Sequence, residues 1–286
     1  MTARSGFRHL ERLRVRWAEV DMQKVVFNGH YLTYFDTAVT GLFRAMALPW
    51  EPTLEHLGGD LYVRKATLDY AAPARCDDQL EVGLRVARIG NSSIVLEGMV
   101  FRGEQALVGC ELVYVYTQRH AAVPAPVPAP LRAALQAWTD GAPMIDVGIG
   151  DWTALGDAAR TIREQVFMRE QGIPIALEWD PHDAVAVHAV ARNRLGMALA
   201  TGRLLPAQHG IGRIGRLAVA REVRGSGVGR AVLEALLAQA RQRGDAEVAL
   251  HAQASAIDFY RRAGFVERGA PFEEAGIEHR EIVRTP

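Results

Sequence analysis

The stretch RWAEVDMQKVVFNGHYLTYFDTA, residues 16–38, decides how the first half of the chain is read. It sets a lone carboxylate, Asp21, seven residues ahead of Asn28-Gly29, where a helix-like run begins. That is too early for a cap, because an N-cap side chain reaches only the amides of the first turn. From about Gly29 to Leu48 the residues Tyr31, Phe35, Ala38, Leu42 and Met46 form one apolar stripe at helical spacing, and Pro49 ends the run. Asp21 then has two accounts: a turn residue bonding its own backbone, or a carboxylate held for chemistry. Asn28 can serve as the N-cap of the helix. Glu19, two residues before Asp21, is expected to contact solvent.

Strand-like runs surround this helix. RLRVRWA (12–18) precedes it, and DLYVRKATLDY (60–70), QLEVGLRVARIG (79–90), SSIVLEGMVFR (92–102) and ALVGCELVYVYTQ (106–118) follow. In residues 79–90, Leu80, Val82, Leu84 and Val86 alternate with Glu81 and Arg85, the pattern of a half-buried strand. Short breaks at Gly90-Asn91 and Gly103-Glu104 predict hairpins. One long helix among antiparallel strands is an α+β unit.

AAVPAPVPAP (121–130) holds four prolines and predicts an extended linker that does not pack as helix or sheet, followed by a short helix, LRAALQAW (131–138). The division is therefore 1–120, a linker over 121–144, and 145–286. The second part alternates: a helix over 154–170, strands 184–193, 196–205 and 212–220, a helix over 230–244, a strand 246–253, a helix 255–265 and a strand 278–284. That order predicts α/β with a mixed sheet.

Composition narrows the function. The chain has 286 residues, enough for two cores, and 49% of them are hydrophobic. Lys+Arg and Asp+Glu both total 33, so no excess charge points to nucleic acid or an anionic membrane surface. Two cysteines, Cys76 and Cys110, build neither a disulfide framework nor a metal site. Residues 1–17 lack a signal-peptide core, and no run of 18 apolar residues occurs, so a cytoplasmic protein outside the membrane is expected.

The sharpest motif is VAREVRGSGVGRAVLEALL (219–237), in which a strand passes through Arg224-Gly225-Ser226-Gly227-Val228-Gly229 into a helix. Glycines let backbone approach a ligand, and the unpaired amides of a helix start favour a pyrophosphate. A tight turn without a ligand is the alternative. The Gly-Lys-Ser/Thr ending of a nucleotide-binding P-loop is absent, and the acidic residue a dinucleotide fold wants downstream is missing.

R-x-x-G-x-G between strand and helix resembles the acetyl-CoA motif of GNAT-superfamily N-acetyltransferases, over about 140 residues. AIDFYRRAGF (256–265) is similar to that family's second CoA-side motif. The resemblance implies that amides from Arg224, Gly225, Ser226, Gly227, Val228, Gly229 and Arg230 hold the CoA pyrophosphate, with Leu217 and Val219 of the preceding strand in the same cofactor-binding set. It implies that Tyr260 protonates the leaving thiolate, a fitting task for a hydroxyl whose pKa lies above a thiol's. The acceptor amine needs a base, and Glu178 and His188 rank first. Asp180, Asp183, His251 and His279 stand behind them. Glu178, Asp180 and Asp183 fall in a loop where acids are usually solvated, and His188 could equally be a satisfied core histidine.

Residues 16–38, with ATLDYAAPARCDDQLEV (66–82), resemble 4-hydroxybenzoyl-CoA thioesterase-like enzymes of the hotdog fold over roughly residues 10–135. By that resemblance Asp21 is nucleophile or general base, and backbone amides near Asn28, Gly29 and His30 stabilise the oxyanion. His30 either touches the acyl group or CoA or lies idle on the surface. Many family members carry glycine where Lys24 stands. Hotdog domains pair, so a homodimer or homotetramer is implied, which would also cover an open strand edge.

The expected protein is thus a hotdog domain followed by a GNAT domain. It hydrolyses acyl-CoA in one half and acetylates an unidentified amine in the other. Acyl-CoA and acetyl-CoA are substrates, with no tightly bound cofactor and no metal. Two alternatives stand beside it: a GNAT domain that only senses acetyl-CoA and regulates the hydrolase, or an inactive hotdog scaffold that dimerises the transferase. A hotdog dehydratase fits less well, since that chemistry usually uses a histidine base.

Overall fold

The computed structural model describes residues 3–121, 123–274 and 276–286, in two compact units, Met1–Met144 and Ile145–Pro286. Along the first unit run β1 (Leu10–Arg14), α1 (His30–Ala45), α2 (Trp50–His56), β2 (Gly59–Tyr70), β3 (Gln79–Ile89), β4 (Ser93–Arg102), β5 (Gln105–Gln118) and α3 (Ala129–Thr139). The five strands form one antiparallel sheet in the order β1-β3-β4-β5-β2. This is the hotdog arrangement of a long helix wrapped by a sheet.

α1 buries Tyr31, Tyr34, Phe35, Ala38, Val39, Leu42 and Phe43, the stripe its sequence spacing predicts, extended by neighbours on the same face. Gly98 on β4 lets the helix come close. A Cβ there would stand 2.7 Å from Phe35 Cε1 and 2.8 Å from Leu84 Cδ2, inside any tolerable contact.

Three local expectations change. The first strand ends at Arg14, and Trp17–Glu19 is a turn of 3-10 helix, because the Glu19 carboxylate accepts from the Arg16 backbone N–H at 2.7 Å. α1 ends at Ala45, before Pro49, which instead caps α2, an element the sequence pattern left unassigned. The third change concerns the Ala/Pro tract, of which Ala122 lies outside the described residues. The rest of it does not stand free of the first unit. Pro124 bridges Thr117, Val127 N–H donates to Asn91 O at 2.7 Å, and α3 buries Leu131, Leu135 and Trp138. Prolines cost the segment ladder donors but leave its carbonyls and remaining amides able to pair at a sheet edge.

The second unit comprises β6 (Ile145–Gly150), α4 (Trp152–Arg163), α5 (Ile175–Glu178), β7 (Val187–Asn193), β8 (Ala198–Gln208), β9 (Ile211–Val219), α6 (Val228–Arg243), β10 (Glu247–Gln253), α7 (Ile257–Arg262), β11 (Val266–Glu274) and β12 (Ile277–Arg284). Its seven-stranded sheet runs β11-β12-β10-β9-β8-β7-β6, antiparallel except for β9 against β10, so it is mixed. α4 gives way to a π-helical segment, Glu164–Glu170, where the sequence predicts one continuous helix. Such segments are frequent at functional sites. β6 and β11 were not anticipated: their glycines, prolines and charges hide the strand pattern. Among the described residues no helix is long and apolar enough to cross a membrane.

Candidate functional site

In the first unit the chain between Glu19 and Phe27 folds back on itself. Val20 bridges Val26, Phe27 N–H donates to Glu19 O at 2.9 Å, and Asp21 N–H donates to Val25 O at 2.9 Å. Lys24 closes the turn with φ +60°, the left-handed region, and its N–H donates to Asp21 O. That conformation is the one glycine adopts without strain, so lysine holds this turn at a steric cost.

Asp21 sits at the mouth of this hairpin, half-buried. Its Oδ1 accepts from Gln23 N–H at 2.8 Å, so the turn role is real, and the second oxygen has no hydrogen bond among the described residues. Asp21, Gln23, Asn28, Tyr31, Tyr70 and Pro73 line one groove of about 400 Å³. The carboxylate and the start of α1 therefore open onto the same space.

The helix start differs in detail from the expectation. Gly29 is the N-cap and makes no side-chain cap bond, so Asn28 does not cap α1; its carbonyl instead accepts from the Tyr70 hydroxyl at 3.2 Å. His30 N–H is already committed to Phe27 O at 2.9 Å and cannot serve an oxyanion. The amides of Asn28 and Gly29 have no backbone acceptor among the described residues, which leaves them available. The His30 ring stands edge-on to Phe27.

Glu19 overturns the expectation of solvent contact. It is buried, accepting from Arg16 Nε at 2.7 Å and from the Tyr34 hydroxyl at 2.7 Å. Burial opposes its charge, but the bonds from Arg16 and Tyr34 outweigh that and hold its carboxyl below the ordinary range. The Tyr34 hydroxyl is pushed well up, first by burial and then by Glu19. Sequence spacing gave no sign that residues 19 and 34 meet.

In the second unit β9 and β10 pair only over Ile211–Arg213 and Glu247–Ala249. β9 continues along β8 to Val219 and β10 along β12 to Gln253, so an opening begins where they separate. The glycine-rich turn follows β9. Gly225 and Gly227 adopt φ +83° and +90°, and nothing lies within 4 Å of either Cβ position, so the turn is open. The amides of Val228, Gly229 and Arg230 precede the first backbone bond of α6, Ala231 N–H to Gly227 O. They form the unpaired helix start that an anion wants. Ser226 differs: its N–H and hydroxyl both turn inward to Val223 O. Val219 supports the turn, since a Cβ on Gly229 would stand 2.8 Å from Val219 Cγ2, and Leu217 lies half-buried on the same strand. The Arg224 side chain is engaged elsewhere, in a two-pronged pair with Glu170 at 2.7 Å per bond. Glu170, on the π-helical segment, had no sequence signal linking it to this turn.

Tyr260 is buried on α7 between Phe259 and Phe265. Burial raises its pKa, and no partner among the described residues opposes that, so the hydroxyl keeps its proton.

The two bases ranked first lie elsewhere. Glu178 is 1% exposed, with Oε1 2.5 Å from Arg163 Nε, and it also pairs with Arg216. Asp183 bonds both Arg163 and Arg203, and Asp180 bonds Arg203 and Arg216. What looked like a solvated acidic loop is an ion network in which Glu178, Asp183, Arg163 and Arg203 are buried and Asp180 and Arg216 partly so. Burial raises the Glu178 carboxyl despite Arg163, while for Asp180 and Asp183 the arginines overcome burial and lower theirs. His188 is also 1% exposed, its Nε2 bonded to Asp183 O at 2.9 Å, and burial lowers its pKa. It is a satisfied core histidine. Neither Glu178 nor His188 can meet an amine without dismantling this network. Among the described residues no group of three His, Cys, Asp or Glu could hold a metal ion.

Together the two units define a fusion of a hotdog thioesterase-type domain with a GNAT-type acetyltransferase domain. A thioesterase superfamily model matches residues 23–108, and a GNAT acetyltransferase domain model matches residues 178–284. YjcF, an uncharacterized N-acetyltransferase of Bacillus subtilis, is 31% identical over 124 residues, 43% of this chain and 87% of its own length. YbgC, an acyl-CoA thioester hydrolase of Escherichia coli, is 27% identical over 96 residues, 34% of this chain and 71% of its own. A Thermus thermophilus thioesterase crystallised with coenzyme A and Zn has a TM-score of 0.42 at 25% identity, covering 48% of this chain and 98% of its own. Through its second half the chain belongs to the GNAT acetyltransferase family.

Proposed function

We propose that the protein is a bifunctional CoA-linked enzyme, hydrolysing acyl-CoA thioesters in the first unit and transferring acetyl from acetyl-CoA to an amine in the second. The observation that carries the first activity is the shared groove of Asp21 and the α1 start. In this reading a thioester carbonyl lies in the groove, its oxygen toward the Asn28 and Gly29 amides. The free Asp21 oxygen attacks the carbonyl carbon or takes a proton from the attacking water. The dipole of the 16-residue α1 favours the negative oxygen at its N-terminus.

For the second activity, the open turn at Gly225–Gly229 and the amides of Val228–Arg230 receive the CoA pyrophosphate. The pantetheine arm enters the opening between β9 and β10. Tyr260, kept protonated by burial, supplies a proton to the departing thiolate.

The unit acts as a homodimer or a larger even assembly in this reading. β2 is the sheet edge, paired only with β5, and residues 62–67 of its 12 are exposed. A long open edge is a pairing surface, and a second copy satisfies it symmetrically.

Thiol release from acetyl-, hexanoyl- and benzoyl-CoA, read with a thiol reagent, tests the hydrolase. Asp21→Asn is expected to lose at least about 100-fold in kcat. Hydrolysis at the wild-type rate in that variant, or none in the wild type, would sink the assignment. Amine-dependent CoA release, with and without Tyr260→Phe, tests the transferase.

A further inference from the structure

His251 stands on β10 one alternation beyond Ala249, the last residue paired with β9, and so faces the same side of the sheet as its Arg213 partner at the start of the opening. Three groups bind it into a defined state. Arg213 Nη1 lies 3.2 Å from His251 Nε2, and Glu274 Oε2 lies 3.1 Å from Nδ1. A guanidinium has only donors, so Nε2 accepts and the ring proton sits on Nδ1, given to Glu274. Phe272 braces the ring edge-on at 4.7 Å.

We infer that His251 is the base that takes the proton from the acceptor amine, with Glu274 as its positioning residue. This rests on the transferase reading of the second unit and adds the group that reading lacks, since Glu178 and His188 are sealed in the core. The Nε2 lone pair already receives an N–H, from Arg213, and an amine N–H is a donor of the same kind. Arg213 keeps a second partner, Glu281 at 3.3 Å, when the amine displaces it. The side chain of His251 is 39% exposed, so a substrate can reach it.

Neighbouring elements fix the same face. Gln253, two residues on, exchanges hydrogen bonds with Gln171 next to the π-helical segment. Arg216 on β9 holds the Leu177 and Glu178 carbonyls, which sets α5 beside the opening with Ile175 and Leu177 exposed. The charged and titratable groups around His251 are Arg213 from β9, Glu274 from β11 and Glu281 from β12 directly across. Behind them lie Arg268, bonded to Glu281, and His279, on the far side of Phe272.

The step balances without any further reagent. The amine nitrogen gives a proton to His251 Nε2 and its electron pair to the acetyl carbonyl carbon. As the tetrahedral intermediate collapses, the C–S bond breaks. The thiolate takes a proton from Tyr260, His251 gives its own to water, and water returns one to Tyr260, so both groups regain their starting state.

The test uses the full chain, acetyl-CoA, and 2-phenylethylamine, spermidine and lysine as acceptor probes, with CoA release followed across pH. His251→Gln is expected to lower kcat about 100-fold, abolish the acid limb of the pH profile and leave KM for acetyl-CoA unchanged. Added imidazole should restore part of the rate to His251→Ala, which a folding defect would not allow. Glu274→Gln should lower kcat and leave KM for acetyl-CoA unchanged, with part of the rate recovered in Glu274→Asp, as a group that only orients the ring requires. A His251→Gln enzyme with wild-type kcat and an intact acid limb would overturn the base assignment while leaving the transferase standing. Wild-type protein that binds acetyl-CoA yet releases no CoA with any of the three amines would overturn both.

Discussion

The Tyr34 hydroxyl donates to Glu19 Oε2 across 2.7 Å, tying the second turn of α1 to the base of the hairpin that carries Asp21. Neither residue lines the groove, yet together they set the distance between carboxylate and helix start. Tyr34→Phe removes a donor from a buried carboxylate that keeps Arg16 as its other partner. We expect a stability loss of about 1–2 kcal/mol in urea unfolding. Thioester hydrolysis should fall through kcat, since the hairpin that carries Asp21 loses its tie to α1. An unaltered kcat would show that Asp21 is positioned without this tie.

Lys24 occupies the left-handed region at φ +60° with its side chain in solvent. Lys24→Gly should therefore raise stability, by about 0.5–1 kcal/mol once the extra freedom of glycine in the unfolded chain is subtracted. Differential scanning calorimetry reads this as a higher melting temperature of the first unit. A lower one would mean that the lysine makes a compensating interaction.

Arg163 joins Glu178 and Asp183 from the end of α4, all three buried. Arg163→Met leaves two acids without their shared cation and should cost about 3–5 kcal/mol in the second unit. The same change should leave thioester hydrolysis by the first unit intact. That contrast separates local unfolding from general loss.

Acid should weaken the protein through Glu19, Asp180 and Asp183, whose carboxyls all lie lower when folded than when unfolded. Their contribution is complete above the unfolded carboxylate range and is lost as pH falls below about 4. Glu178 has the opposite sign: its raised pKa favours the fold at low pH and opposes it as pH rises, so it offsets part of the trend. Urea midpoints measured from about pH 6 down to pH 3 should fall, and more shallowly in Asp183→Asn. A flat profile would remove the arginine pairs from the stability account.

Gly227 holds φ +90° immediately before α6. Gly227→Ala should cost about 1–2 kcal/mol of local strain and weaken acetyl-CoA binding roughly tenfold by calorimetry. Unchanged affinity would move the pyrophosphate away from this turn.

Both folds were legible because they rest on local signals. The α1 stripe, the alternation through Leu80, Val82 and Leu84, and the glycine turn before α6 each lie within a few residues of sequence. What could not be read depends on contacts between distant residues. Glu178 looked solvated because its partners stand 15 and 38 positions away at Arg163 and Arg216. Glu19 looked exposed because Tyr34 approaches it only once α1 has docked. His251 and Glu274 are 23 residues apart and meet only when the β11–β12 hairpin closes beside β10. β6 and β11 escaped notice because glycine, proline and charge mask strands whose pairing partners supply the order.

The proline-rich segment has a practical meaning for the modularity of this protein. Arg132 donates from α3 to the carbonyls of Ile89 and Gly90, and Arg8, near the beginning of the chain, donates to Trp138 O and Ala142 O. The first unit is thus clasped shut by its own tail. A proteolytic or genetic excision at residue 120 would leave carbonyls unmet and strip the cover from an apolar face. The natural seam for swapping or separating the halves falls after Met144.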